Sequence, residues 1–168
     1  MTDLLQPDIL AALQDRAAAS AHPRELVVDV LRAIQDQHGW VPDEGVRLAA
    51  QILGILEIEV EEVATFYDKI YRRPVGKKVI HVCDSICCWL GGGEELLAAL
   101  QAKLGIAPGE TTADGVFTLL PTCCLGACGD TPALMIGLTT YGRVTAERLD
   151  EILAKERNSI TAIGSPPL

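Results

Sequence analysis

The 168 residues of this chain, 49% of them hydrophobic, are enough for one good core and a small second module. A net charge of −9 argues against a nucleic-acid backbone as partner, and 4% aromatic residues leave no base-stacking platform. Charges interrupt every apolar stretch well short of the roughly 20 residues that span a bilayer. The opening MTDLLQPDIL has no apolar run flanked by basic residues. We therefore expect no signal peptide, a cytoplasmic location and reduced thiols.

Residues 1–75 are predicted to form an all-helical bundle, with helices over 4–19, 24–38, 43–53 and 57–70. In the second helix, apolar residues recur at the i, i+3, i+4 spacing of one buried face: Leu26, Val27, Val30, Leu31 and Ile34. The third should bury Val46, Leu48, Ala49, Ile52 and Leu53, and the fourth Ile58, Val60, Val63, Phe66 and Ile70. The bundle contains no cysteine and no acid pair in a catalytic pattern, so we expect it to carry no chemistry.

After the PVG at 74–76 the pattern becomes mixed, and a second domain is predicted over 76–157. KVIHVC at 78–83 alternates like a strand, 94–104 is an amphipathic helix, and VFTLL at 116–120 is a second strand. A strand–helix–strand unit implies a right-handed crossover with parallel strands. Both strands should therefore end at the same edge of the sheet.

Two further short strands are predicted at 133–136 and 143–145, around the turn GLTTYG. Thr145 can then cap a last helix over 146–157. The predicted fold class is α+β, a helical bundle followed by a thioredoxin-like β-α-β-β-β-α domain. Residues 158–168 are expected to be a loose tail or a partner-binding arm.

All six cysteines lie in two groups, and each group follows one strand of the predicted parallel pair. The groups are CDSICC, with Cys83, Cys87 and Cys88, and CCLGAC, with Cys123, Cys124 and Cys128. No pair has the C-x-x-C spacing of a dithiol oxidoreductase, and a disulfide framework is typical of secreted domains. Because the parallel strands end together, we interpret the two groups as the halves of one metal centre.

Four thiolates suit either zinc or an iron–sulfur cluster. The long separations within each group favour [2Fe-2S], because each pair of thiolates binds a different iron. Nearby glycines would let amide groups approach the sulfurs. A Rieske centre needs two histidines, and only His81 lies near. Spacing alone leaves four possible sets of ligands.

Four strings carry a resemblance to a known family: CDSICC, TTADGVFTLLPTCCLGACGDTPALMI, HGWVPD and VATFYDKIYRRPVGK. Over about residues 25–154 the chain resembles the peripheral [2Fe-2S] subunit of bacterial respiratory complex I, the family of the 24 kDa or E-type subunits. The family's C-x4-C and C-x3-C pattern implies Cys83, Cys88, Cys124 and Cys128 as ligands of one [2Fe-2S] cluster. Cys87 and Cys123 would then be non-ligands.

The same resemblance implies an electron-transfer subunit of NADH:quinone oxidoreductase that has no substrate site of its own. Its partners would be a flavoprotein subunit of the F type, which holds FMN and NADH, and other subunits of the peripheral arm. The chain would then lie at the inner membrane through the complex. Two alternatives stay open: an equivalent subunit of an NAD-linked hydrogenase or formate dehydrogenase, and a zinc-stabilised interaction module without a redox role.

Overall fold

The computed structural model describes residues 4–162, and the chain divides into two compact units between Pro74 and Val75. The first unit is helical, and the second contains a sheet with helices. No helix within residues 4–162 is both long enough and apolar enough to cross a membrane.

Over its described residues, 4–74, the first unit contains four α-helices and one short 3-10 turn. They are α1 (Pro7–Ala19), the 3-10 turn Pro23–Leu26, α2 (Val27–His38), α3 (Asp43–Leu53) and α4 (Glu57–Phe66). Gly39 and Gly54 end α2 and α3 with φ of 87° and 65°, a left-handed conformation that glycine adopts without strain. The four predicted helices are thus confirmed, although the first turn of the second one is 3-10.

The core of the helical unit follows the predicted periodicity except on α4. Val60 and Ala64 of this helix are buried, whereas Ile58 and Phe66 are 62% and 79% exposed. Each exposed residue lies two positions from a buried one, about 200° around the helix, so it faces the other way. The prediction that Ile58 and Phe66 are buried was wrong, and the helix ends four residues earlier than predicted.

The second unit is built on a four-stranded sheet with the order β2-β1-β3-β4. Its elements are β1 (Lys78–Cys83), α5 (Ile86–Leu90), α6 (Gly93–Leu104), β2 (Phe117–Thr122), β3 (Leu134–Ile136), β4 (Thr139–Tyr141) and α7 (Ala146–Ala162). β1 and β2 are parallel and in register from Lys78 opposite Phe117 to Cys83 opposite Thr122. The predicted parallel pair is confirmed, and its two strands end together.

A buried ionic group joins the sheet to the last helix. Glu156 of α7 has a side chain only 7% exposed. One of its oxygens accepts a hydrogen bond from the Tyr141 hydroxyl at 2.6 Å, and the other lies 3.0 Å from the Lys78 ammonium. Burial alone would raise the pKa of Glu156, but these two partners outweigh it and lower the pKa. The carboxylate is therefore satisfied in a site that solvent scarcely reaches.

Three details of the second unit differ from the sequence prediction. The strand expected at 143–145 lies at Thr139–Tyr141, because Gly137 (φ 59°) and Leu138 alone form the turn after β3. The five-residue helix α5 was not predicted. The last helix continues to Ala162, so the residues expected to begin a loose tail at 158 are helical; residues 163–168 lie outside the described part.

Candidate metal centre

The first group of cysteines begins at the end of β1 and continues into α5. Cys83 is the last residue of β1, and Cys88 lies in the five-residue helix α5 that follows. The two side chains are 3% and 2% exposed and pack with Ala133, whereas Cys87 is exposed. Burial raises the pKa of the Cys88 thiol, and its hydrogen bond to Cys83 raises it further. This half of the site excludes water.

The second group follows β2 and forms an exposed loop. The Cys124 and Cys128 sulfurs lie 3.4 Å apart, and the Gly126 amide donates a hydrogen bond to the Cys124 sulfur at 3.4 Å. The Gly126 amide, followed by the Cys128 thiol, lowers the pKa of Cys124. The Cys124 sulfur in turn raises the pKa of Cys128 to about 11, and Cys87 adds to that rise. The surroundings of Cys124 therefore favour its negatively charged thiolate form.

The two halves lie close enough to influence each other. The Cys83 thiol helps to lower the pKa of Cys124, and the Cys87 thiol helps to raise that of Cys128. Cys123 directly follows β2 and is exposed.

A backbone segment after the second loop contacts the first group of cysteines. The Cys83 amide donates to the Ala133 carbonyl at 3.1 Å, and Ala133 packs against Cys83 and Cys88. Ala133 is itself 1% exposed. The sequence predicts only that Ala133 lies in a strand. No pattern in the sequence shows that it contacts both Cys83 and Cys88.

The paired thiols fit a [2Fe-2S] cluster. Two ligands about 2.3 Å from one tetrahedral metal lie about 3.8 Å apart, which is close to the Cys124–Cys128 separation. A [2Fe-2S] cluster needs only two protein thiolates at each iron, and the structure provides a buried pair and an exposed pair.

Comparison with known proteins agrees with this chemistry. The family model described as thioredoxin-like [2Fe-2S] ferredoxin matches residues 13–157. The E subunit of NADH-quinone oxidoreductase from Pseudomonas aeruginosa is 42% identical over 159 residues, 90% of this chain and 96% of that protein. Its counterpart in Escherichia coli strain K12 is 48% identical over 133 residues, 79% of this chain and 80% of that one.

A solved structure of an NAD+-reducing [NiFe]-hydrogenase in the H2-reduced state shares the fold. It superposes with a TM-score of 0.65 at 24% identity over 82% of this chain. The chain spans only 23% of that hydrogenase chain, so the similarity concerns the fold alone. Since the family model and the relatives from NADH-quinone oxidoreductase cover most of the sequence, the chain belongs to the thioredoxin-like [2Fe-2S] ferredoxin family, together with the E subunits of that enzyme.

Proposed function

We propose that this chain is the [2Fe-2S] electron-transfer subunit of the NADH dehydrogenase module of an NADH:quinone oxidoreductase. Its electrons would come from FMN on a neighbouring flavoprotein subunit, which also binds NADH. The relatives named as E subunits of NADH-quinone oxidoreductase support this role because they match at 42% and 48% identity. The main observation behind the proposal is that a buried pair and an exposed pair of thiols lie together, after the ends of two parallel strands.

Cys83 and Cys88 would bind one iron, and Cys124 and Cys128 the other. When bound, the cluster would accept and release one electron at a time. The buried pair keeps water from its side of the site, since Cys83 and Cys88 are almost fully covered. A site of low dielectric constant disfavours additional negative charge, which the protein must therefore offset.

A backbone amide supplies part of that compensation. The Gly126 amide donates a hydrogen bond to the Cys124 sulfur at 3.4 Å. Hydrogen bonds to cluster sulfurs stabilise negative charge and so raise the reduction potential. The chain's own contribution is to bind the cluster, shield half of it and set its potential.

Exposed apolar side chains beside the site would meet the partner. Ile86, Trp89 and Leu90 of α5 are 63%, 50% and 73% exposed, although they flank the buried Cys88. A cluster of apolar residues on a surface is typical of a contact with another protein. We place the flavoprotein subunit there, with other peripheral-arm subunits completing the complex at the inner membrane.

Isolation of the tagged chain with its native partners tests the proposal. The preparation should contain a flavoprotein subunit with FMN, and dithionite should produce the EPR signal of a reduced [2Fe-2S] cluster. A co-purifying hydrogenase or molybdenum subunit would instead assign the chain to another NAD-linked enzyme. A colourless protein with one zinc and no EPR signal would identify a structural zinc module.

A further inference from the structure

Gly91, directly after α5, is in a close contact that excludes any side chain. Its backbone angles, φ −88° and ψ 10°, are open to every residue type, so the conformation does not require glycine. A Cβ at this position would nevertheless lie 2.4 Å from Oγ1 and 2.8 Å from Cβ of Thr131. The neighbouring Thr131, not the backbone, is what excludes a side chain here.

This contact joins the two segments that carry the cysteines. The Gly91 amide donates to the carbonyls of Cys87 and Cys88, both at 3.1 Å, so Gly91 closes the end of α5. Thr131 follows the exposed loop, three residues after Cys128. Any shift of Thr131 away from Gly91 would therefore carry the second loop away from the first.

The segment that Thr131 begins is fastened to the first cysteines at its other end too. We call residues 131–133 the bridge segment. Its last residue, Ala133, accepts a hydrogen bond from the Cys83 amide and packs against Cys88. The bridge segment thus contacts the first half of the site at both ends, through packing at Thr131 and through a hydrogen bond and packing at Ala133.

We propose that Gly91 and Thr131 are positioning residues that set the separation between the Cys83–Cys88 pair and the Cys124–Cys128 pair. The inference rests on the proposed function, because it takes these four cysteines as ligands of a [2Fe-2S] cluster. A methyl group at position 91 must displace Thr131, and the second pair with it. Since a rigid cluster cannot stretch, the mismatch would appear as loss of iron or as an altered environment of the sulfurs.

Three variants and a control test this on the full-length chain. Gly91→Ala adds the methyl group, and Thr131→Gly removes the two nearest atoms that it would meet, leaving the Cys87 carbonyl oxygen at 3.2 Å. The double variant combines the two. Gly129→Ala is the control, because Gly129 lies beside Cys128 in the same loop, is outside the positive-φ set, and a Cβ there meets no atom within 4 Å. The measurements are iron per chain, EPR g values, reduction potential and thermal stability by far-UV circular dichroism.

We expect Gly91→Ala to lose iron or to shift the g values and the potential. The double variant has no Thr131 side chain for the methyl group to meet, so it should match Thr131→Gly. Gly129→Ala should match wild type. Thr131→Gly alone removes atoms and creates no clash, so a shift in its g values would reveal the positioning role even where Gly91→Ala does not fold.

Several outcomes would overturn the inference alone while wild type holds its cluster. They are wild-type spectra in Gly91→Ala, a double variant that matches Gly91→Ala instead of Thr131→Gly, unchanged g values in Thr131→Gly, and an equal effect of Gly129→Ala. A wild-type chain that binds no [2Fe-2S] cluster would overturn the proposed function, and the inference with it.

Discussion

The sulfur atoms of Cys124 and Cys128 lie 3.4 Å apart, close to the distance between two ligands of one tetrahedral iron. Serine replacement of either residue should therefore abolish the cluster, and so should replacement of Cys83 or Cys88. Oxygen is a harder ligand than sulfur and suits an iron–sulfur cluster poorly. Iron content and the visible spectrum of the purified variants give the measurement.

Cys87→Ser and Cys123→Ser are the matched controls, and both should retain the cluster. Cys87 makes the sharper comparison, because its thiol helps to raise the pKa of Cys128 and it directly precedes the buried Cys88 in the chain. Loss of the cluster in either control would show that the assignment of ligands is wrong.

Polar replacement on α5 should weaken binding of the flavoprotein subunit without loss of iron. Ile86→Ser and Leu90→Ser each remove an exposed apolar side chain beside the site. Pull-down of the partner, quantified against iron content, measures the effect. Leu138→Ser serves as control, since Leu138 is 93% exposed but follows β3 at the other end of the sheet. Equal loss of partner in the control would contradict the docking surface.

Glu156→Gln should destabilise the second unit by about 1.5–3 kcal/mol, the range for hydrogen bonds to charged groups. The change removes the charge that the Lys78 ammonium meets at 3.0 Å and leaves that ammonium partly buried without its counter-ion. Urea denaturation followed by circular dichroism measures the free energy of unfolding. Glu151→Gln, at an exposed position of the same helix, should change it little.

The lowered pKa of Glu156 predicts that the second unit loses stability in acid. Because the folded protein lowers the pKa of Glu156 below 4.5, the stabilisation is complete above pH 4.5. This stabilisation is lost as the pH falls from 4.5 through the lower pKa that Glu156 has in the folded protein. Below that pKa the carboxylate is protonated in the folded state as well. Denaturation midpoints measured from neutral pH downward should fall more steeply for wild type than for Glu156→Gln. Parallel curves would refute the linkage.

Gly142→Ala should destabilise the second unit by about 1–3 kcal/mol, as overpacking does. A Cβ at Gly142 would lie 2.5 Å from the Asp130 Cβ and 2.8 Å from its carbonyl oxygen, neither of which can swing away. The neighbouring Arg143 amide already donates to that carbonyl at 2.7 Å, so the two backbones are held together. A urea midpoint equal to that of wild type would show that the contact relaxes freely.

The location of the cysteine site followed from the sequence because it depended on a simple pattern. Alternation in KVIHVC and VFTLL predicted two strands, and the crossover rule placed their ends together. Local turn chemistry was less informative. The composition of GLTTYG predicts one long turn, but its Thr139–Tyr141 portion pairs with β3, since Gly137 and Leu138 suffice to reverse the chain.

Long-range contacts were beyond sequence reasoning for a different reason. Nothing in the sequence shows that Thr131 meets Gly91 or that Ala133 meets Cys83, because these contacts arise only when the segment before β3 packs beside β1. Likewise, Phe66 fits a helical repeat yet is exposed, since periodicity identifies a face but not whether another element covers it.

The two cores also differ in how much of the chain each one needs. Every residue in the core of the helical unit lies between Leu5 and Ile70, whereas the core of the second unit runs from Ile80 to Ile152 and includes α7. During synthesis the helical unit therefore has all its core residues before the first cysteine is translated. The second unit completes its core only when the last helix has been made, after every thiol is already in the chain.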